Sequence, residues 1–208
     1  MAKDHLNPES IESLKECLLF VQEEHVSVGL LVIGGLAMEL YGLPRNTDDI
    51  DAEIVCERSA YEGLTRRLRE RGILHNISDD VDHWGMIPLP PGYRERAQTI
   101  YSEHGFEVRI LDPLDFIASK VRRGIETDMT DALLIAKKFS LSMEEIRTHL
   151  GKIRLPMSTE TLLFLKNVDL FAQQMQEIPH LPTNKSDTAT GNEARSKPRK
   201  KSDPGQTP

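Results

Sequence analysis

Two aspartates and two glycines carry the chemistry open to this chain. Asp49 and Asp51 flank Ile50. Residues two apart on a strand point the same way, roughly 6–7 Å between Cα atoms, so both carboxylates can lean toward one point. Carboxylates held that way repel each other unless something positive sits between them. A hard divalent cation, Mg²⁺ or Mn²⁺, suits their oxygens and keeps positions open for phosphate. Upstream, the apolar run Leu30 to Ile33 ends in Gly34-Gly35. Lacking Cβ atoms, that backbone can approach a phosphate closely, and the N–H groups of a helix starting there can point at it. A glycine turn for the triphosphate beside carboxylates for the cations is the equipment of phosphoryl or nucleotidyl transfer. The plain alternative is a common glycine pair and a solvated strand edge.

The elements that must position these groups follow from pattern. Val28 to Ile33 is short, continuous and apolar, as a buried strand is. Gly34-Gly35 turns it into a helix carrying Leu36, Met38, Leu40 and Tyr41, which Gly42-Leu43-Pro44 stops. From Asp49 to Val55 apolar and acidic residues alternate, predicting a strand with Asp49, Asp51 and Glu53 on one face. Asn7-Pro8-Glu9 reads as the start of a first helix ending near His25. A charged helix from Ser59 to Arg71 closes at Gly72. Strands are expected at Ile73 to Ile77, around Trp84 to Leu89 as an edge, and at Phe106 to Leu111. The stretch after Arg94 has no clear pattern. From Pro113 the chain turns helical: 113–123, 128–139 behind a Thr127 cap, one from Ser142 with Glu144 and Glu145 in its first turn, and one from Ser158 to about Gln176.

This is an α+β chain: a small mixed sheet with flanking helices, followed by a C-terminal helical region. The expected divisions are an N-terminal helix (1–27), an α/β core (28–112), the helical region (113–178) and a basic tail (179–208). After Pro179 almost nothing apolar remains, so the tail is expected to be disordered. Its Lys185, Arg195, Lys197, Arg199, Lys200 and Lys201 suit a solubilising extension, or an arm adding salt-dependent affinity for RNA. The 208 residues carry a net charge of −7, unlike domains that grip nucleic acid by bulk electrostatics. Two cysteines, Cys17 and Cys56, show no disulfide or zinc spacing. No apolar run predicts a signal peptide or a membrane span, so a cytoplasmic protein is expected.

Gly34-Gly35, then about a dozen residues, then Asp49-Ile50-Asp51 resembles the signature of the nucleotidyltransferase (polymerase-beta-like) superfamily. The segment Leu43-Pro44-Arg45-Asn46-Thr47-Asp48-Asp49 resembles the branch linked to bacterial toxin–antitoxin and abortive-infection systems, where Arg and Thr precede the aspartates. The string from Pro113 to Phe139, with Lys120, Arg123, Asp128 and Asp131, is similar to that branch too. The resemblance covers roughly residues 28–140. It implies a nucleotidyltransferase-type sheet, Asp49 and Asp51 as catalytic metal ligands, and an NTP bound by Gly34, Gly35, Arg45, Thr47 and Lys120. It also implies an acceptor hydroxyl on RNA, protein or a small molecule, and a cognate toxin or antitoxin as partner. The superfamily carries a third carboxylate on a later strand. Glu107 is the match here, as base or third metal ligand, with Glu53 and Asp112 behind it; the alternative for Glu107 is a pair with Arg109, two places on and on the same face. A fold that binds or regulates without catalysing is the alternative.

Lys120 and Arg123 share a helix face, as do Asp128 and Asp131. The basic pair suits a triphosphate. The acidic pair is expected to lock the Lys120 helix to the next. Arg94 and Arg96 are read as a solvated loop or a groove lining, Trp84 as core or rim, His83 as a structural residue or a base, and His75, His104, His149 and His180 as forming no cluster.

Overall fold

The computed structural model describes residues 11–45, 47 and 49–177. Strand β1 (Val28–Ile33) lies at the centre of a five-stranded mixed sheet of order β3-β2-β1-β5-β4. The others are β2 (Ile50–Cys56), β3 (His75–Ser78), β4 (Gln98–Glu103) and β5 (Phe106–Ile110). β1 runs antiparallel to β2 and parallel to β5, β2 runs parallel to β3, and β4 and β5 form an antiparallel pair. A central strand is covered on both sides and both faces, which is why β1 is apolar throughout.

Cross-strand partners share a face. One face carries Val28, Leu30, Val32, Ala52, Ile54, Val108 and Ile110, all buried. Helices α1 (Glu12–Glu24) and α3 (Arg58–Glu70) pack against each other and against the sheet. The other face bears Asp51 beside Ile33, Glu53 and Arg109 beside Leu31, and Glu107 beside Gly29. The alternation in the sequence thus separates a core face from a polar one.

Helix α2 (Gly34–Leu40) follows β1 directly. A four-residue α4 (Tyr93–Arg96) precedes β4, and the C-terminal helices are α5 (Pro113–Val121), α6 (Glu126–Lys138), α7 (Met143–Leu150) and α8 (Thr159–Glu177). Asp112 caps α5 through the Leu114 N–H, and Ser142 with Glu145 forms a capping box on α7. Tyr41 ties the end of α2 to these helices. Its hydroxyl donates to the Leu111 carbonyl, and its ring meets Phe116 and Phe139 edge-on, with centroids 5.6 and 5.5 Å away.

The α+β architecture is as expected, with three local corrections. Residues 84–89 form no strand. A 3-10 turn (Val81–Trp84) opens there under an Asp80 cap, and Arg122 takes the Val81 and Ile87 carbonyls that a ladder would have used. The unpatterned stretch after Arg94 contains β4, a polar edge strand with an irregularity between Thr99 and Tyr101. Helix α6 starts at Glu126, so Thr127 lies inside it. The expected helix start at Asn7-Pro8-Glu9 and the expected disordered tail lie outside the described residues.

Candidate active site

Gly34, the first residue after β1, has φ +69°, a left-handed value that glycine adopts at least cost. The Asp51 carboxylate lies directly over it: a Cβ on Gly34 would sit 2.2 Å from Asp51 Oδ2. Gly35 stands in the same relation to Thr47, whose Cβ and Cγ2 would be 3.0 Å from an added Cβ. The glycine pair therefore does more than leave room for a ligand. It lets the carboxylate strand and the preceding loop close onto the β1–α2 turn. No side chain caps the start of α2. Gly34→Ala is expected to cost about 2–3 kcal/mol, combining left-handed strain with displacement of Asp51. Denaturant unfolding measures it, and pairing with Asp51→Gly should recover part of the loss.

Asp49 stands one residue before β2 and accepts a hydrogen bond from the Thr47 hydroxyl. The Thr47 N–H in turn donates to Glu39 at 3.3 Å. Burial and the neighbouring Asp49 charge raise the Asp51 pKa, against the opposing influence of Arg123, Lys120 and a hydrogen bond from Asn76. Asn76 occupies the β3 position directly opposite Asp51. Around them lies a cleft of about 140 Å³, lined by Gly34, Asp51, Asn76, Trp84, Lys120 and Arg123.

The basic wall comes from α5 and the turn after it. The Lys120 ammonium is buried, 2.8 Å from Asp131 and 3.2 Å from Asp128, while Arg123 forks onto Asp128 at 2.7 and 2.8 Å. Arg45 approaches Asp131 at 3.7 Å, and its Nε is buried without a partner. Asp128 and Asp131 thus lock α5 to α6 as expected. The side chain of Arg123 is 55 % exposed against 5 % for Lys120, so Arg123 is the accessible cation of the pair.

Glu107 is not brought to the aspartates. It pairs with Gly29 on β1, whereas Asp51 pairs with Ile33. Four residues of strand, about 13 Å, separate those levels. Its carboxylate accepts from the Thr99 hydroxyl at 2.9 Å. Glu53 is buried under Arg94, the Tyr93 hydroxyl and the Val81 N–H, and Asp112 is a helix cap. Among the described residues no group of three or more His, Cys, Asp or Glu could hold a metal ion. Glu107→Gln is accordingly expected to change any Asp51-dependent turnover less than about threefold, the scale of a lost surface hydrogen bond.

Arg94 and Arg96 prove to be clamps. Arg94 holds Glu53 and Asp80, while Arg96 forks onto buried Asp115, which also bonds His149 Nε2 at 2.7 Å. Burial would raise the Asp115 pKa, but hydrogen bonds from His149 and Arg96 hold it below the usual value. The His83 side chain lies outside the described residues. Asn76 and Trp84 were not singled out for the site. Trp84 reaches the cleft because Arg122 pins residues 81–87 to α5, and Asn76 because β3 runs parallel to β2 in that register. Neither placement has a local signal.

A mixed sheet whose central strand runs into Gly-Gly under an Asp-x-Asp strand, with Lys120 and Arg123 closing the cleft, is a nucleotidyltransferase-type fold. Residues 9–160 match the model of a family described as nucleotidyltransferase of unknown function, DUF6036, and the chain belongs to that family. A search of curated proteins finds no match. Among the described residues no helix is long and apolar enough to cross a membrane.

Proposed function

We propose that the protein transfers a nucleoside monophosphate from an NTP to a hydroxyl group, with the cleft beneath Asp51 as its active site. The observation behind this is the Asp51 carboxylate seated on Gly34, with Asp49 beside it and Arg123 and Lys120 across the cleft. In the reaction the acceptor oxygen bonds to the α-phosphorus, the bond to the leaving pyrophosphate breaks, and the hydroxyl proton passes to solvent. Arg123 and the start of α2 offer charge and N–H groups to the phosphates, and Thr47 and Asn76 hold the two carboxylates in place.

A divalent cation fits this donor set. Two repelling carboxylates, one already driven toward its protonated form, suit Mg²⁺ or Mn²⁺, which takes one or two carboxylates and fills its shell with phosphate and water. Such an ion, held by Asp49 and Asp51, would neutralise charge developing on the phosphates. The test is incubation with labelled NTPs, Mg²⁺ or Mn²⁺ and total RNA or protein. Label should move to an acceptor only when both aspartates are intact, and transfer that survives their replacement by asparagine would refute the assignment.

One observation favours a second reading, a fold that binds nucleotide without turnover: the residue opposite Asp51 is the neutral Asn76, and Glu107 lies well down the sheet. Calorimetry showing Mg²⁺-dependent NTP binding with no transfer to any acceptor would select it. The Arg45–Asp49 segment supports a toxin–antitoxin setting. That setting predicts growth arrest on expression, relieved by a cognate partner.

A further inference from the structure

A second depression opens at the same end of the sheet. It runs along the outer edge of β3 and is lined by Tyr61, Arg66 and Arg69 of α3 together with His75, Asn76 and Ile77. Asn76 lines this groove and the Asp51 cleft alike, so the two meet at one side chain.

The arginines of α3 divide into two sets. Arg67 is committed to Glu16 and Glu23 and Arg58 to Glu62, as Arg71, just past the helix, is to Glu16. Arg66 and Arg69 are exposed and form no ion pair with any described residue. They are three apart, so they stand side by side on one helix face, about 5–6 Å between Cβ atoms. Glu62 also lines this groove, and its carboxylate is engaged by Arg58. The sheet edge is partly closed to a pairing strand, since Tyr61 donates its hydroxyl to the Ile77 carbonyl at 3.2 Å. What the groove offers is two adjacent free guanidinium forks in a chain whose overall charge is −7. That is chemistry for consecutive phosphates and not for an added β-strand.

We infer that the groove along α3 and β3 seats the phosphodiester backbone of a single-stranded polynucleotide acceptor, whose terminal hydroxyl passes Asn76 into the Asp51 cleft. The direction of that path rests on the transferase reading; the binding site itself does not. Arg66 and Arg69 hold successive phosphates, and sequence-independent contacts of this kind are salt-dependent. The transfer step is unchanged: the terminal hydroxyl oxygen bonds to the α-phosphorus, pyrophosphate leaves and the proton passes to solvent.

The experiment is fluorescence anisotropy of the full chain with a short labelled single-stranded RNA and with DNA of the same sequence, in the absence of NTP and divalent ions. Arg66→Ala/Arg69→Ala is compared with Lys15→Ala/Lys138→Ala, which removes equal charge outside the groove. The groove pair should lower affinity about tenfold and flatten the salt slope by about 1.4, two phosphate contacts on a single strand, with the control pair nearly silent. Preference for RNA or DNA identifies the source of the phosphodiester. Equal losses in both variants, no binding of either strand, or stronger competition by a polyglutamate peptide than by unlabelled RNA would overturn the proposal. Because the readout needs no turnover, failure of the transferase reading would show separately, as absent label transfer with groove binding intact.

Discussion

Asp51→Asn is expected to reduce nucleotide transfer by about 10³-fold or more, the scale of losing a preorganised electrostatic group, while raising the melting temperature by a few degrees. The two effects share one cause. Asp51 is partly buried, sits beside Asp49 and has a raised pKa, so its ionised form is disfavoured in the folded protein. For an acid whose folded pKa lies above its unfolded value, folding loses stability as pH rises through the unfolded value, ordinarily near 3.8. The full cost is present above the folded pKa. Asparagine keeps the shape, removes the charge and removes that cost. The variant should therefore gain most over the wild type at neutral pH and little well below pH 3.8. Thermal melts across pH, beside transfer assays, measure both effects. A variant that loses activity and stability together would show that Asp51 serves the fold. Added Mg²⁺ should raise the wild-type melting temperature and leave that of Asp51→Asn nearly unchanged, because a ligand stabilises only the state that binds it.

Lys120→Met is expected to cost about 3–5 kcal/mol, as removing one partner of a buried ion pair does. Lys120 is 4 % exposed, and its ammonium lies between Asp128 and Asp131, residues exposed by 1 % and 2 %. Methionine fills similar space against the Phe116 ring, 5.2 Å from the ammonium, but leaves two carboxylates facing each other. Arg123 still serves Asp128, while Arg45, 3.7 Å from Asp131, is too distant to replace a direct bond. The double variant Lys120→Met/Asp131→Asn should recover much of the loss, because neutralising both partners removes the stranded charge. Urea unfolding supplies the numbers. A loss below about 1 kcal/mol, the worth of a surface pair, would mean that Lys120 is held for its ligand and not for the α5–α6 junction.

What could be read along the chain is what depends on neighbours in sequence. Continuous apolar residues from Val28 to Ile33 mark the central strand, and alternation from Ile50 to Ile54 separates its neighbour's core face from its polar face. Asp112-Pro113 and Ser142 with Glu145 set helix starts through side chains two or three residues from their targets. The pairing of Lys120 with Asp128 and Asp131 was legible because helical spacing puts each set on one face. The segment from Trp84 to Leu89 misled because Ile87 and Leu89 are buried by tertiary contacts and not by strand alternation, with Met86 exposed and Arg122 taking carbonyls a strand would have paired.

The Asp51 site shows the same division. Residue type indicated that Gly34-Gly35 and Asp49–Asp51 belong together as a phosphate turn beside metal carboxylates; that a Cβ on Gly34 would collide with the Asp51 carboxylate came only from the tertiary structure. Sequence alone could not say which acid on a later strand would join them. Glu107 has the right type on a real strand, but β1 intervenes between β2 and β5, and the register carries Glu107 down to the level of Gly29. Asn76, on a strand with little pattern, arrives opposite Asp51 because β3 pairs parallel to β2. By itself the sequence determined β1, β2 and β5, the glycine turn and the placing of the two aspartates at the start of β2, because these rest on local periodicity and on the size of single side chains. Strand order and register decided the rest of the cleft, because they come from packing between residues far apart in the chain.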